Sequence, residues 1–296
     1  MGENGKLRVG IIIGVEFDEG LEYTSKVIDL LIEHGAEVFL SGKYKSSLKS
    51  DENVKFLTKD SEAFNEKNNI DIIIVIGGDG TILSKCELAA QSKKPILGIN
   101  LSLDGFLSSL NRNELDELSK IFKNEYTIEE RPMEEIIIHD GGISREYCAI
   151  NDIVISAGAM SRLAKFDIQL SRKKESRFEI ISDGIIISTP TGSTSYSLSA
   201  GGPLIDPKTD VICVNAICPL SLATRPIILS GNSVLQIKGT TLSSATDNIQ
   251  VIFDGKTPIE LSQESTITVS KSSLSTQFIR FNADKFYDTI SNKMFK

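Results

Sequence analysis

The sequence predicts an α/β N-terminal domain with a mostly parallel sheet, plus an all-β, sandwich-like C-terminal domain. Three observations predict it. Over residues 1–125, β-branched apolar runs alternate with helical patterns. Over 126–280, strand-like runs separated by turn residues dominate. The last segment, 281–296, returns to helical spacing. Strands spaced by helices imply βαβ units and a parallel sheet. Short strands bounded by turn residues imply a sandwich.

The elements follow in order. RVGIIIGV (8–15) is a continuous β-branched run, as a strand covered on both faces requires. Residues 20–34 form the first predicted helix, with Leu21, Val27, Ile28, Leu31 and Ile32 on one face and Gly35 as its stop. AEVFLS (36–41) is the second strand. A short helix is predicted over 60–69, a strand over 71–77, a helix from Thr81 to Ser92, a strand over 95–100 and a helix over 112–124. The later strand-like runs are EEIIIHD, EYCAINDIVIS, AKFDIQLS, RFEIISDGIIIST, DVICVNAI, RPIILS, SVLQIKG, IQVIFDG and STITVSKS. One short helix is predicted among them, near 195–200, and Phe286, Ile290 and Met294 carry the helical spacing of the C-terminal segment.

Composition narrows the function. The chain has 296 residues, 40% of them hydrophobic and 24% charged, enough to bury a sizeable core. A net charge of −8 argues against nucleic acid or an anionic membrane as the main partner. It leaves room for a local basic patch around a phosphorylated ligand. No run reaches the ~20 apolar residues of a membrane span. The start has no signal-peptide pattern, so a cytoplasmic protein is expected. The four cysteines, Cys86, Cys148, Cys213 and Cys218, form no CxxC pair. Cys213 and Cys218 fall in one apolar run that reads as a strand, and buried, reduced thiols are expected. His34 precedes Gly35 at a helix end, where an imidazolium suits the dipole. His139 ends a strand, and neither histidine has the context of a Ser-His-Asp hydrolase.

Two dense motifs carry the chemistry. GGDGT (77–81) follows the third strand and opens a helix. Ligands gather at the carboxyl ends of strands in an open parallel sheet. Gly77, Gly78, Gly80 and Thr81 read as a phosphate-binding turn, since glycines let backbone N–H groups approach a phosphate closely. A carboxylate beside a phosphate is repelled unless it has a task. Asp79 either coordinates a divalent metal that carries phosphates, or accepts a proton from a hydroxyl that attacks phosphorus. A third reading has Asp79 cap the helix from Thr81. GxGxxG is absent, because Leu83 stands three residues after Gly80. FDGKT (253–257) reads as a turn between two strands rather than a P-loop.

The second motif is SDGIIISTPTGSTSYSLSAGGP (182–203). Turn chemistry alone tolerates such a composition. Yet Thr191, Ser193, Thr194 and Ser195 cluster hydroxyls around Tyr196, which suits hydrogen bonding to a ribose, amide or base with an aromatic packing face. Asn151 and Asp152 adjoin an apolar strand and suit an adenine edge and a ribose diol; an ordinary strand end is the simpler reading of that dipeptide alone.

Together GGDGT (77–81), ND (151–152), the 182–203 block, CPLSLATRPIIL (218–229) and FDG (253–255) resemble the NAD kinase family in order and spacing over nearly the whole chain. The 182–203 block is the most specific; lipid kinases and phosphofructokinases carry similar glycine-aspartate turns. The resemblance implies transfer of a phosphoryl group from ATP or inorganic polyphosphate to the adenosine ribose 2′-hydroxyl of NAD, giving NADP. It implies a divalent cation such as Mg²⁺ or Mn²⁺, with ligands left unassigned. It implies that the helix of 281–296 returns to the first domain, and a homodimer or homotetramer, with a site between the domains that can include residues of a neighbouring subunit. By position, Asp79 resembles the proton acceptor, with Gly80 beside it. Asn151 and Asp152 match the adenosine-binding pair, and Asp183 an acid at the nicotinamide end. Thr191 and Thr194 to Ser199 (Ser195, Tyr196, Ser197, Leu198, Ser199) match the block that wraps the nucleotide.

Some positions depart from the family pattern. Ser195 stands for a usual alanine, Ile181 for arginine or glutamine, Leu220 for histidine and Lys256 for glutamine. Ser102, Leu103 and Asp104 replace a Gly-Arg-Leu-like stretch. These changes bear on donor preference, NAD affinity and regulation. Two other functions fit parts of the pattern: a lipid or sugar kinase sharing the turn, and a non-enzymatic NAD sensor. The 182–203 block argues against the first, and Asp79 against the second.

Overall fold

The structure, a computed structural model, describes residues 5–14, 18–48, 51–101, 105–158, 163–170, 176–242, 248–262 and 264–295. The chain divides into two compact units, Met1–Glu130 with Thr276–Lys296, and Arg131–Ser275.

The first unit is built on a parallel sheet. Its strands are β1 (Arg8–Ile13), β2 (Glu37–Ser41), β3 (Val54–Leu57), β4 (Ile72–Ile76), β5 (Ile96–Asn100) and the short β6 (Leu110–Asn111). The order is β3–β2–β1–β4–β5, and Phe278 pairs with Ile96 on the far side of β5. β1 and β4 run in register from Val9↔Ile72 to Ile13↔Ile76. Every residue of β4 and β5 is buried. That is the expected result of covering both faces of a parallel sheet, and it explains why these strands read as unbroken apolar runs. Helix α1 (Asp18–Glu33) places Val27, Ile28 and Leu31 on the β1–β2–β4 core. His34 ends it as expected, its Nδ1 2.9 Å from Leu30 O and its ring stacked on Phe122.

The structure corrects four expectations. β3 was not predicted; only Val54 and Leu57 of its four residues are buried, too few to show a period. Residues 60–69 are two 3₁₀ turns, Asp60–Phe64 and Glu66–Asn68, broken by extended Asn65. Residues 112–123 are also 3₁₀-like, interrupted at Glu114, whose carboxylate accepts the Asn111 N–H at 2.7 Å. Cys218 lies beyond its predicted strand and is exposed, whereas Cys86 and Cys213 are buried.

The second unit is an antiparallel sandwich. In chain order its strands begin with β7 (Thr127–Asp140), β8 (Ile143–Ala149), β9 (Asp152–Ala157), β10 (Ala164–Leu170), β11 (Arg177–Ser182) and β12 (Gly184–Ser188). A short helix α3 (Tyr196–Ser199) follows, as predicted. Then come β13 (Val211–Ile217), β14 (Ile227–Ser230), β15 (Leu235–Thr241), β16 (Ile249–Phe253), β17 (Ile259–Leu261) and β18 (Thr266–Arg280), of which residues 276–280, like residues 127–130 of β7, belong to the first unit. One sheet has the order β14–β13–β12–β9–β16–β17. The other joins β11, β10, β15 and the start of β18. Ile153, Ile155, Ile185, Ile187, Phe166 and Val251 are among the residues that fill the space between them. FDGKT is the turn between β16 and β17, as predicted.

An acid is also buried in this unit. Glu134 of β7 is 5% exposed, and its Oε2 has no hydrogen-bond partner among the described residues. Burial pushes its carboxyl up to about 8. Lys271 pulls the other way, but that ammonium is paired with Asp210 at 2.7 Å, and Asp210 adds to the upward push. Among the described residues, no helix is long and apolar enough to cross a membrane.

Candidate functional site

In the first unit the strand order reverses between β1 and β4, the point where open α/β sheets bind ligands. The chain leaves β4 through Gly77 and Gly78 into α2 (Asp79–Ser92). Thr81 nests in this notch: a Cβ on Gly14 would come within 2.3 Å of its side chain, and one on Gly77 within 2.8 Å. Gly77 is buried and its N–H is bonded to Ile99 O at 2.9 Å, so it serves packing rather than a phosphate. Above Gly78 and Gly80, a Cβ would meet nothing within 4 Å. These two glycines border open space at a helix start, where the first N–H groups have no intrahelical acceptor.

Asp79 is the first helical residue and Gly78 the cap, so the capping reading fails. Its carboxylate turns instead to a loop 27 residues on: Oδ2 accepts the Phe106 N–H at 2.7 Å, and Oδ1 the Leu107 N–H at 3.3 Å. The side chain is half-buried. Ser102, Leu103 and Asp104, just before this loop, lie outside the described residues.

In the second unit the 151–152 and 191–199 segments meet. Asp152 opens β9 and pairs with Ser188, the last residue of β12. The chain leaving β12 therefore turns directly over Asn151. The Thr189 N–H donates to Asn151 O at 3.0 Å, and the Thr189 hydroxyl to Ile150 O. Gly192 lies so close that a Cβ there would sit 2.0 Å from Asn151 O. Gly192→Ala should destabilise the protein by roughly 1–3 kcal/mol, the usual cost of overpacking. Thermal unfolding checks this; an unchanged midpoint would mean that the two segments part at no cost.

The Ser195 hydroxyl and the Tyr196 N–H both bond to the Asp152 carboxylate. Its Oδ2 is buried without a hydrogen-bond partner among the described residues. Burial, and then the nearby Asp254 charge, push Asp152 up to about 6 against the downward pull of those two bonds. Ser195, the departure from alanine, thus has a defined contact. Tyr196 is 45% exposed beside it.

Asp254, in the turn after β16, orders the same corner. In the left-handed region at φ +49°, it accepts N–H bonds from Ile150 at 3.0 Å, Asn151 at 2.8 Å and Asp152 at 3.4 Å. Burial raises its carboxyl, and these bonds lower it. Lys256, another departure, lies over the Phe253 ring and pulls Asp254 down further.

Other hydroxyls of the block bond within the protein. Thr191 is buried and accepts from Arg131 Nη1 at 3.2 Å. Ser193 donates to Pro190 O at 2.7 Å, and Thr194 to Thr191 O at 3.1 Å. Asn215 Nδ2 donates to Ser197 O and Ala200 O, 3.1 Å each, which fixes α3. Ser197 is buried, Leu198 half-buried and Ser199 exposed. Asp183 is not part of this corner. It precedes β12 and so lies at the opposite end of a five-residue strand, roughly 17 Å away at ~3.3 Å per residue. Ile181 and Leu220, two further departures, adjoin that end, joined by a 2.9 Å bond from Leu220 N–H to Ile181 O. Sequence reasoning missed Arg131, Asn215 and the clamp role of Asp254; only Asp254 had a signal, in FDG.

Among the described residues, no group of three or more His, Cys, Asp or Glu is placed to hold a metal ion. Both Asp79 oxygens already accept N–H bonds. These residues do not make a resident metal cage.

A parallel α/β unit with an open helix-start turn, and a β-sandwich with a buried, under-bonded acid, are matched in order along the chain by known families. The N-terminal domain of ATP-NAD kinases matches residues 9–126, and the C-terminal domain of ATP-NAD kinases matches residues 150–281. An NAD kinase of Thermoanaerobacter sp. (strain X514) is 37% identical over 290 residues, 97% of this chain and 98% of that protein. An NAD kinase of Acetivibrio thermocellus is 33% identical over 294 residues, 98% and 97% of the two chains. The fold is that of yeast NADH kinase complexed with NADH: TM-score 0.85, 24% identity, 98% of this chain and 87% of that one. It is also that of an NAD kinase from Archaeoglobus fulgidus in complex with ATP: TM-score 0.70, 21% identity, 95% and 96% coverage. The class is therefore a kinase, a transferase with an alcohol group as acceptor. Within that class, the chain belongs to the NAD kinase family.

Proposed function

We propose that the chain transfers a phosphoryl group to the 2′-hydroxyl of the adenosine ribose of NAD, giving NADP, in the cytoplasm. The donor is ATP or inorganic polyphosphate, arriving as its complex with Mg²⁺ or Mn²⁺. The observation that carries this reading is the Asp152 corner. A buried carboxylate oxygen with nothing to accept from is costly, and a ribose diol brings the O–H donors that Oδ2 lacks. Asn151, held at the same turn, reads the adenine edge, and exposed Tyr196 offers a packing face. The relatives' names support NAD as acceptor, and the structures sharing the fold were determined with NADH and with ATP.

The first unit supplies the phosphoryl end. N–H groups at the Gly78–Gly80 turn bind donor phosphates. The 2′-oxygen forms a bond to the terminal phosphorus as the bond to the bridging oxygen breaks, releasing ADP or a polyphosphate one unit shorter. Asp79 takes the proton. In this reading Asp183, at the far end of β12, meets the nicotinamide end, and a homodimer or homotetramer lets a second copy lend residues.

Asp152→Ala should raise the KM for NAD more than it lowers kcat, because it removes an interaction made equally in ground and transition states. In the unaltered protein, the KM for NAD should rise as pH falls through about 6, where Asp152 takes up a proton. An unchanged KM in the variant counts against the diol role. An NADP-formation assay that compares ATP with polyphosphate, and NAD with diacylglycerol, sphingosine and fructose 6-phosphate, tests the reaction itself. Phosphorylation of a lipid or sugar instead of NAD would replace the proposal.

A further inference from the structure

Arg280, the last residue of β18, is 4% exposed, and a buried cation needs dedicated partners. Its Nε donates to Glu129. Its Nη1 donates to Leu107 O at 3.0 Å and to Ser108 O at 2.8 Å. The same short stretch gives the Phe106 and Leu107 N–H groups to Asp79. Leu107 is thus gripped on both sides, its carbonyl by Arg280 and its N–H by Asp79. Gly105 completes the fit, since a Cβ there would sit 2.1 Å from Asp79 Oδ1. The residues come from four parts of the chain, all within the first unit.

We propose that Arg280 is a positioning residue for Asp79. Held by Glu129, its guanidinium pins the Leu107 and Ser108 carbonyls, so that the opposite edge of the loop presents two N–H groups at a fixed place. Those N–H groups set the orientation of the Asp79 carboxylate. The inference rests on the reading of Asp79 as proton acceptor. Arg280→Lys keeps a cation but has a single nitrogen, where the guanidinium serves Glu129 through Nε and the two carbonyls through Nη1.

The test is a double-mutant cycle on the full chain with NAD and ATP: Arg280→Lys, Asp79→Asn and the pair. Arg280→Lys should lower kcat about 10- to 100-fold, the scale of a small misplacement of a reacting group. The KM for NAD should stay near that of the unaltered chain. In the Asp79→Asn background the same change should add almost no loss, because both act on one group. Gly105→Ala should reproduce the kcat loss with Arg280 intact. Multiplicative losses in the double variant, or a kcat loss no larger than the unfolded fraction seen by thermal unfolding, overturn the Arg280 role alone. Full turnover by Asp79→Asn overturns the reading of Asp79, and the positioning role with it.

Discussion

Asp79→Asn is expected to lower kcat by about 10²–10⁴-fold, the usual worth of a general base. Fold and NAD affinity should survive. The amide oxygen can still accept the Phe106 N–H, the shorter of the two bonds at 2.7 Å. The 3.3 Å bond from Leu107 is lost, a cost of about 1 kcal/mol. The residual rate then measures what positioning and phosphate binding supply without the base. Steady-state kinetics, calorimetric NAD binding and thermal unfolding separate these effects. Turnover at the unaltered rate would remove Asp79 from the chemistry.

Glu134→Gln is expected to stabilise the protein at neutral and alkaline pH. The Glu134 carboxyl holds its proton up to about 8 when folded, against 4.5 for the ordinary group. Between those values the unfolded chain binds fewer protons, so stability falls as pH rises. At 1.36 kcal/mol per pH unit, the loss is roughly 3 kcal/mol at pH 7. Glutamine has no proton to release. The variant should match the unaltered protein near pH 4.5, exceed it increasingly up to pH 8, and run parallel beyond. Denaturant unfolding at several pH values checks this; equal slopes for the two proteins would mean Glu134 is not the group responsible. NADP formation should be nearly unchanged, since Glu134 is not among the residues proposed to bind nucleotide.

The readability of this chain follows the range of its interactions. β1, β4 and the GGDGT turn are local: an apolar run, a glycine pair and a helix start are contiguous, and their chemistry is visible at a glance. β3 fails that test, because only two of its residues are buried. The hydroxyl-rich block was legible as a candidate site but not in its roles. Composition counts hydroxyls, while only the fold reveals that Ser193 and Thr194 donate to their own turn and Ser195 to Asp152. The supporting residues were hidden by distance along the chain. Arg131 reaches Thr191 across 60 residues, Asp254 reaches Asn151 across 103, and Arg280 reaches Leu107 across 173. A buried arginine in a strand has no period or spacing to betray it.

These supports suit the two acids to the different tasks proposed for them. Asp79 is half-buried and bonded by two N–H groups. Asp152 is buried beside a second acid and keeps one oxygen without a partner among the described residues. The first suits proton transfer at a phosphate turn, the second recognition of a diol.

The most direct test is the position of the transferred phosphate. The full chain is incubated with NAD, ATP labelled at the terminal phosphate and Mg²⁺, and the dinucleotide product is analysed by phosphorus NMR. The account predicts a single labelled product with the phosphate on the 2′-oxygen of the adenosine ribose. Phosphate on another hydroxyl, or a dinucleotide that stays unphosphorylated when ATP and polyphosphate are each offered, would contradict it.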